Sequence, residues 1–290
     1  MQNSVIDKVS VVITHFNRPT ELIRCIDSVL QQGDIVLEVI VVDDFSSCLG
    51  EDFFDILGKK HKKIKIIKLK RNSGPQVARN CGIMMSVSEY VAMLDCDDFW
   101  MRDKLITQIK YMKDNNIDVC ATNFFKIQEG CVEKKLANSK KFINTYDFIL
   151  KKCCHLQTST MVAKSICIKK ILFDVGVKKF QDWDFFIRAN YLGYRVGYFN
   201  EPLSFYSFGA SGQMTVIKNI EYLRSFIENL HKYTGGYYVF FAKSRILARQ
   251  AAESGNLTEA LKIIIDASIK YRKIDIFGIL NVFRKRFFDF

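Results

Sequence analysis

The 290-residue chain is 49% hydrophobic and 26% charged, a composition that excludes a disordered protein and indicates a globular one. Its formal net charge of +12 favours an anionic partner, whether a nucleic acid, acidic lipid headgroups or a phosphate-bearing substrate. No apolar run in the sequence approaches the ~20 residues that a transmembrane helix needs, so any membrane contact is expected to be peripheral.

Predicted strands and helices alternate through the first third of the chain. β-Branched and apolar runs predict strands at 8–16, 37–47, 63–70 and 89–95. Apolar residues at helical spacing predict helices between these strands at 19–33, 48–60 and 74–86. This alternation is typical of a parallel sheet with right-handed crossovers, and therefore of an α/β fold.

The rest of the chain divides into a less regular middle and a helical end. In the middle of the chain, the sequence predicts strands at 118–127 and 158–168, followed by an amphipathic helix over 180–194. Three successive helices are predicted at 217–235, 237–255 and 257–273, separated by Gly235-Gly236 and Gly255. The expected domains are therefore 1–215, with halves 1–100 and 101–215, and a C-terminal helical region over 216–290.

Three predicted strands end in polar residues. The first ends in Thr14, His15 and Phe16, the second in Asp43 and Asp44, and the fourth in Asp95, Asp97 and Asp98. Ligands of parallel sheets bind outside the carboxyl ends of the strands, so these side chains are expected to line one crevice. Three carboxylates within four positions repel one another, which predicts a positive partner. The sequence leaves open whether that partner is a metal ion, a lysine or arginine, or whether only water lies there.

Asp95-Cys96-Asp97 has the form D-x-D. Alternating carboxylates on an extended segment can share a divalent cation, and Mg²⁺ or Mn²⁺ prefers such hard oxygen ligands together with phosphate oxygens. Its role would be to neutralise a diphosphate leaving group. The alternative is an acidic loop that caps the next helix through Asp98.

Five segments, in this order, resemble the motifs of the family 2 glycosyltransferases. They are VSVVITHFNRPTELIRCIDSVLQQ, EVIVVDDFSS, RNSGPQVARNCGI, YVAMLDCDDFW and FQDWDFFIRA. The resemblance covers roughly residues 8–210. It implies the GT-A fold, a Rossmann-like and mostly parallel sheet flanked by helices, with the C-terminal helical region as an extension. The chain departs from the usual motifs at Phe45, where glycine is usual, and at Gln181, where glutamate is commoner.

The resemblance implies a UDP-sugar site. Its residues would be Thr14, Phe16, Asp43, Asp44, Asn72, Gly74, Arg79, Asp95 and Cys96. Asp44 would accept a hydrogen bond from the uracil ring, and Arg79 would make a charge-assisted phosphate contact. The alternatives are that the strand-end carboxylate caps the following turn and that Arg79 belongs to an internal ion pair.

The resemblance also implies the metal ligands and the catalytic base. Asp95 and Asp97 would hold Mn²⁺ or Mg²⁺, and Asp182 would be the general base of an inverting transfer. Trp183 and Asp184 would form the wall that faces the sugar and the acceptor. Packing is the alternative role of Trp183, and a structural role is the alternative for Asp184.

The expected function is an inverting, metal-dependent glycosyltransferase that moves a hexose from a UDP-sugar to a saccharide. A lipid-diphosphate-linked glycan of O-antigen or capsule synthesis is the expected acceptor. Residues 271–290 mix cations with large apolar residues, which favours peripheral contact with the inner face of the cell membrane over packing on the domain. Nine cysteines, an odd number without regular spacing, favour reduced thiols, and no signal peptide is visible, so a cytoplasmic location is expected.

Two other functions are compatible with single features of the sequence. A nucleotidyltransferase also uses strand-end acids and a metal, but it would need a glycine-rich phosphate loop near the first strand, where THFNRPTE stands. A basic nucleic-acid-binding protein would explain the net charge, but acidic strand ends repel a phosphate backbone. The sequence leaves the sugar, the linkage, the third metal ligand and the oligomeric state open.

Overall fold

The computed structural model describes residues 7–48, 52–135, 145–151, 156–208, 220–276, 278–280 and 282. The chain divides into two compact units. Unit 1 comprises Met1–Ser139 and Leu156–Gln213, and unit 2 comprises Lys140–His155 and Met214–Phe290. The expected domain boundary at residue 215 and the halves 1–100 and 101–215 stay predictions.

Unit 1 is an α/β structure. Its strands are β1 Val9–His15, β2 Val36–Asp43, β3 Ile64–Lys68, β4 Tyr90–Asp95, β5 Phe99–Trp100, β6 Val119–Gln128, β7 Cys131–Lys135, β8 Val162–Lys164 and β9 Val196–Ser207. Its helices are α1 Pro19–Leu30, α2 Phe53–Lys60, α3 Pro75–Met85, α4 Lys104–Asp114, α5 Ser165–Ile171 and α6 Gln181–Tyr191.

These strands form one sheet within the described residues, in the order β3-β2-β1-β4-β8-β6-β9-β5, with β7 paired to β6. β1, β2, β3 and β4 are parallel, and β6 is parallel to β9. The pairings of β5, β7 and β8 are antiparallel. The predicted mostly parallel sheet is therefore confirmed, and the carboxyl ends of β1, β2 and β4 meet at one edge.

Alternate residues of the central strands pack against helices on the two faces of the sheet. On one face, Val11 and Ile13 of β1 join the apolar cluster that contains Leu22 and Ile26 of α1. On the other face, Ile40 and Val42 of β2 pack with Ala78 of α3. Both faces are covered, which explains why β1 and β2 are buried almost throughout.

The predicted strand over 158–168 is confirmed only at Val162–Lys164 and is wrong on either side. A 3₁₀ turn at Thr158–Thr160 leads into the short strand β8, and α5 begins at Ser165. Cys167, Ile168 and Ile171 are buried on one face of α5, whereas Ile166 is exposed. The helical period becomes visible only when Ile171, outside the predicted segment, is included.

The described part of unit 2 is helical, as the sequence predicts. It contains α7 Ile220–Asn229, α8 His231–Ala242, α9 Ala248–Glu253 and α10 Leu257–Tyr271, with π-helical turns at Asp147–Lys151 and Lys243–Leu247. The predicted break at Gly235 is confirmed, since this residue has a φ of 72° within α8. No helix among the described residues is long and apolar enough to cross a membrane.

Candidate active site

The end of β2 is fixed by hydrogen bonds around Asp43. His15 Nδ1 lies 2.8 Å from Asp43 Oδ1, and Ser46 donates its hydroxyl to Oδ1 and its backbone N–H to Oδ2. The backbone N–H of Arg18 donates to His15 Nε2 at 3.1 Å, so Nδ1 carries the ring proton that Asp43 accepts. Burial acts to raise the pKa of Asp43, but these hydrogen bonds outweigh it and hold the pKa below its ordinary value.

Asp44 joins the end of β2 to the start of α3. Its two carboxylate oxygens accept the backbone N–H groups of Ser73 and Gly74, at 2.7 and 2.8 Å. Gly74 has a φ of 89° at the N-cap of α3, a conformation that glycine adopts without strain. Asp44 therefore caps the start of α3 rather than the turn that directly follows β2, and each oxygen retains a lone pair for a further donor.

Two exposed aromatic side chains, Phe16 and Phe45, follow the ends of β1 and β2. Phe45 has a φ of 68°, which lies in the left-handed region. The family's usual glycine at this position has a physical reason, because glycine enters that region without a Cβ clash. Asn72, the remaining predicted donor-site residue in this area, is exposed in the segment before α3.

Each acid of the loop after β4 has a different partner. Asp95 accepts hydrogen bonds from Thr14 Oγ1 at 3.1 Å and from Arg79 Nη2 at 2.7 Å. Asp97 forms an ion pair with Arg18, whose Nη1 lies 2.5 Å from Oδ2. The positive partners that the acid cluster predicts are therefore two arginines, one from α3 and one from the entry to α1.

Asp98 and Cys96 face the interior. Asp98 is buried and accepts hydrogen bonds from Ser159 Oγ and from the backbone N–H of Ser207. Burial, followed by the charges of Asp97 and Asp95, raises its pKa well above the ordinary value. Cys96 is buried in the apolar cluster beneath β4. Asp98 therefore anchors the loop from below, and Asp95 and Asp97 remain the more accessible carboxylates.

Arg79 connects the D-x-D loop to the entry of α6. Besides its contact with Asp95, its Nη1 donates to Gln181 Oε1, and its guanidinium lies over the Phe173 ring. The internal-ion-pair alternative for Arg79 is thus realised, with Asp95 as the partner. Gln181 accepts this hydrogen bond where the family's commoner glutamate would add a charge.

Two further side chains of α3 hold the segment that precedes α6. Gln76 Nε2 donates to the carbonyl of Val177 at 2.6 Å, and Asn80 exchanges two hydrogen bonds with the backbone of Phe173. α3 therefore carries Arg79 and also holds the segment that leads into α6 and Asp182.

Asp182 lies in the first turn of α6, where the helix dipole favours a carboxylate. Its Oδ1 accepts the backbone N–H of Trp183 at 2.9 Å. Burial nevertheless raises the pKa of Asp182 to about 6, although Arg79 acts in the opposite direction. A carboxyl with this pKa is ionised at neutral pH and is also a better proton acceptor than an ordinary aspartate.

Asp184 and Trp183 have structural contacts. Asp184 is buried in an ion pair with Arg188, whose Nη1 and Nη2 donate to the carbonyls of Ile171 and Leu172 at the end of α5. Burial raises the pKa of Asp184 in spite of that arginine. Trp183 packs its ring against Phe180.

The accessible carboxylates suit a hard divalent cation. The side chains of Asp95 and Asp97 are 31% and 15% exposed, so both carboxylates remain partly accessible to solvent. No group of three His, Cys, Asp or Glu residues that could hold a metal occurs among the described residues. Mg²⁺ or Mn²⁺ commonly binds through one or two carboxylates and completes its shell with water and substrate phosphate, which fits this pair.

Sequence reasoning did not find Arg18 or Ser159. Arg18 follows the polar end of β1 directly, so the search for a positive partner of the acids could have reached it. Ser159 accepts the backbone N–H of Asp95 and donates to Asp98, but it comes from a segment 61 residues away from Asp98. No local pattern marks such a distant contact.

The chain is similar in sequence to known glycosyltransferases. Residues 10–174 match the family described as Glycosyl transferase family 2. An uncharacterized glycosyltransferase of Rickettsia bellii is 34% identical over 192 residues, which is 64% of this chain and 27% of that protein. This chain thus spans about a quarter of that relative's length. The Escherichia coli protein WfaP, a UDP-Glc:alpha-D-GlcNAc-diphosphoundecaprenol beta-1,3-glucosyltransferase, is 31% identical over 166 residues, covering 57% of this chain and 64% of that protein.

The fold also matches a solved structure. The crystal structure of Staphylococcus aureus TarS 1-349 in complex with UDP superposes with a TM-score of 0.65 and 19% identity. The match covers 90% of this chain and 80% of that one. At this identity the likeness concerns the fold, and it confirms the predicted GT-A class.

Proposed function

Because this chain belongs to glycosyl transferase family 2, we propose that it transfers a hexose from a UDP-sugar to a saccharide acceptor with inversion at the anomeric carbon. The observation that carries the proposal is the bridge made by Arg79. It holds Asp95 at the end of β4 and Gln181 at the start of α6, and so joins the D-x-D loop to the helical turn that carries Asp182.

The donor lies along the carboxyl ends of β1, β2 and β4. Phe16 and Phe45 offer exposed rings beside the uracil, and Asp44 keeps acceptor capacity for a ring N–H. Thr14 would line the base pocket together with Phe16, and Asp95, which accepts a hydrogen bond from Thr14, would lie toward the ribose. Asn72 and Gly74 border the nucleotide at the entry to α3, and Cys96 contributes its backbone.

Asp182 receives the proton of the acceptor hydroxyl as that oxygen attacks the anomeric carbon from the face opposite the diphosphate. A single displacement needs one base and no covalent intermediate. The rigid start of α6 fixes the direction of the carboxylate. Trp183 would border the acceptor on the same helical turn, whereas Asp184, which is buried in its ion pair with Arg188, would support that wall from behind.

Asp95 and Asp97 would hold Mn²⁺ or Mg²⁺, which supplies positive charge to the departing diphosphate. Arg79 adds a fixed cation nearby, but its main role is to hold Asp95 in place. Asp98 stays outside the metal shell, because both of its oxygens are hydrogen-bonded below the loop.

The acceptor is proposed to be a glycan linked to a lipid diphosphate in surface-polysaccharide synthesis. This proposal is supported by the similarity to WfaP, whose name specifies such an acceptor. A peripheral location at the inner face of the cell membrane follows from an acceptor of that kind, and the basic net charge of +12 favours it.

A donor-hydrolysis screen with UDP-glucose, UDP-galactose and UDP-N-acetylglucosamine tests the proposal. We expect the wild-type protein to release UDP from at least one donor in Mn²⁺ and to lose that activity in EDTA.

Asp97→Ala should lower UDP release by roughly a hundred-fold, because a direct metal ligand is removed. Asp34→Ala, which removes an exposed acid elsewhere in unit 1, is the control. Full activity in EDTA would refute the metal assignment.

A further inference from the structure

We propose that Arg18 changes partners when the donor binds. Its guanidinium neutralises Asp97 in the free protein and moves onto the donor's diphosphate as Asp97 becomes a metal ligand. The inference rests on the proposed function and adds to the site a residue that neither the sequence motifs nor the comparisons assign.

The backbone of Arg18 is held in place independently of its side chain. Its N–H donates to His15 Nε2, and His15 is anchored by its hydrogen bond to Asp43 at the end of β2. Arg18 is also the N-cap residue of α1, directly before Pro19. A change of guanidinium partner therefore needs side-chain rotation alone and no movement of the helix.

The ion pair and a metal bond compete for the same carboxylate. Arg18 Nη1 lies 2.5 Å from Asp97 Oδ2, and both side chains are largely enclosed, at 17% and 15% exposure. A divalent cation bound directly to that carboxylate would lie about 2.1 Å from its oxygen, close to the guanidinium and with the same sign of charge. Binding of the metal therefore favours displacement of Arg18.

The diphosphate is the nearest new partner for the displaced guanidinium. Arg18 lies between the end of β1, which borders the nucleoside, and Asp97, which would ligate the metal. The diphosphate of a UDP-sugar connects those two positions. The planar fork of an arginine matches two phosphate oxygens, so the new contact retains the hydrogen bonds that Asp97 gave up.

Arg24, the arginine within α1, has a different role. Arg24 Nη2 donates to the backbone carbonyl of Asp97 at 2.8 Å, and its guanidinium lies over the Phe99 ring. These contacts do not use the carboxylate, so metal binding does not compete with them. Arg24 therefore holds the backbone of the D-x-D loop, whereas Arg18 contacts the carboxylate and can exchange it for a phosphate.

Two binding measurements on Arg18→Gln test the exchange. Affinity for Mn²⁺ alone, measured by electron paramagnetic resonance, should rise about tenfold, because the competing guanidinium is absent. Affinity for UDP at saturating Mn²⁺, measured by calorimetry, should fall about tenfold, because a charge-assisted phosphate contact is lost. Arg18→Lys should restore much of the UDP affinity, since it keeps the cation.

Arg195→Gln is the matched control, because it removes an arginine from another aspartate pair, with Asp118 at the amino end of β6. It should leave both affinities within about twofold of wild type, the scale of a remote and screened charge. The exchange requires that Arg18→Gln binds Mn²⁺ more tightly and UDP more weakly than the wild type. If either affinity is unchanged, the exchange is overturned. A wild-type protein that binds no UDP with Mn²⁺ would instead refute the proposed function itself.

Discussion

At the scale of single residues, Asp182 combines two opposing influences. The N-terminus of α6 and Arg79 favour the carboxylate, whereas burial disfavours it and dominates, raising the pKa to about 6. The base is therefore available at neutral pH, and its activity should decline as the pH falls through about 6. This pKa would be difficult to infer from the sequence, because it depends on enclosure by residues from distant segments.

Asp182→Asn should separate catalysis from binding and folding. We expect transfer to fall by roughly a hundred-fold or more, while the affinity for UDP with Mn²⁺ stays near that of wild type. Product analysis by NMR should show inverted anomeric configuration in the wild-type reaction. Near-normal turnover of Asp182→Asn, together with an inactive Asp184→Asn, would assign the base to Asp184 instead.

The same substitution should stabilise the protein at neutral pH. The raised pKa means that the folded state binds a proton more tightly than the unfolded state, so stability falls as the pH rises from about 4 to about 6. Above that range the cost of burying the charge is fully present, and Asp182→Asn removes it. We expect a gain on the order of 2 kcal/mol in urea unfolding at pH 7.5, and little difference at pH 3.5.

Individual site residues differ in how far the sequence reveals them. Asp44 and Asp95 stand at strand ends, where chain order and the sheet rule suffice to bring them together. The family resemblance implies that Arg79 lies near the phosphates, but its side-chain partners, Asp95 and Gln181, lie 16 and 102 residues away along the chain. Contacts of that range depend on tertiary packing, which periodicity does not describe.

At the scale of elements, α3 positions the site through close packing on the sheet. A Cβ added to Gly82 would lie 2.3 Å from Cγ1 of Val12 in β1, so this helix approaches the sheet where only glycine fits. The same helix carries Arg79 and the two side chains that hold the segment before α6. Any movement of α3 away from β1 would therefore also move Arg79 and the other α3 side chains that contact the site.

Gly82→Ala should lower the free energy of unfolding by about 1–3 kcal/mol, because the added methyl group forces α3 away from β1. Affinity for UDP should fall as well, since Arg79 moves with the helix. Gly58→Ala in α2 is the matched control, because its added Cβ would meet Ile66 at an ordinary 3.9 Å. That control should be neutral or stabilising by up to about 1 kcal/mol in the same urea titration. Equal stability of the two variants would contradict the close-packing argument.

Elements with a strong local period were predictable, and those with an irregularity were not. β1, β2 and β4 are buried apolar runs, and α1 has one regular apolar stripe, so each was identified within a few residues of its observed bounds. The local pattern does not indicate β9, because Pro202 interrupts its apolar run. The structure accommodates that proline where the register between β6 and β9 shifts, which a single-strand pattern cannot reveal.

At the scale of the whole molecule, the proposed lipid-linked acceptor would bring the protein to a membrane, and the C-terminal residues are the segment expected to contact it. Residues 283–290 of the predicted membrane-contacting tail lie outside the described residues. Part of the rest belongs to the fold of unit 2, since Asp275 is buried in an ion pair with Arg245 at 2.6 Å. Deleting residues 271–290 would therefore disrupt unit 2, and substitutions at exposed positions are the sharper test.

Ile274 and Ile276 are those positions. They flank the buried Asp275 and are 79% and 68% exposed, next to the exposed cations Arg272 and Lys273. Isoleucines that insert at the headgroup boundary beside cations suit an anionic bilayer, where apolar burial and charge attraction add. We expect the wild-type protein to float with vesicles containing phosphatidylglycerol more than with phosphatidylcholine alone.

The double variant Ile274→Ser/Ile276→Ser should lower partitioning into the anionic vesicles by about tenfold or more, because two partly inserted side chains each lose part of the ~1.5–3 kcal/mol of full burial. Hydrolysis of the UDP-sugar should persist, because the candidate site consists of residues of unit 1 alone. Ile106→Ser, which removes an isoleucine that is 61% exposed on α4, should float as the wild type does. Undiminished flotation of the double variant would show that these isoleucines do not anchor the protein, whatever the net charge contributes.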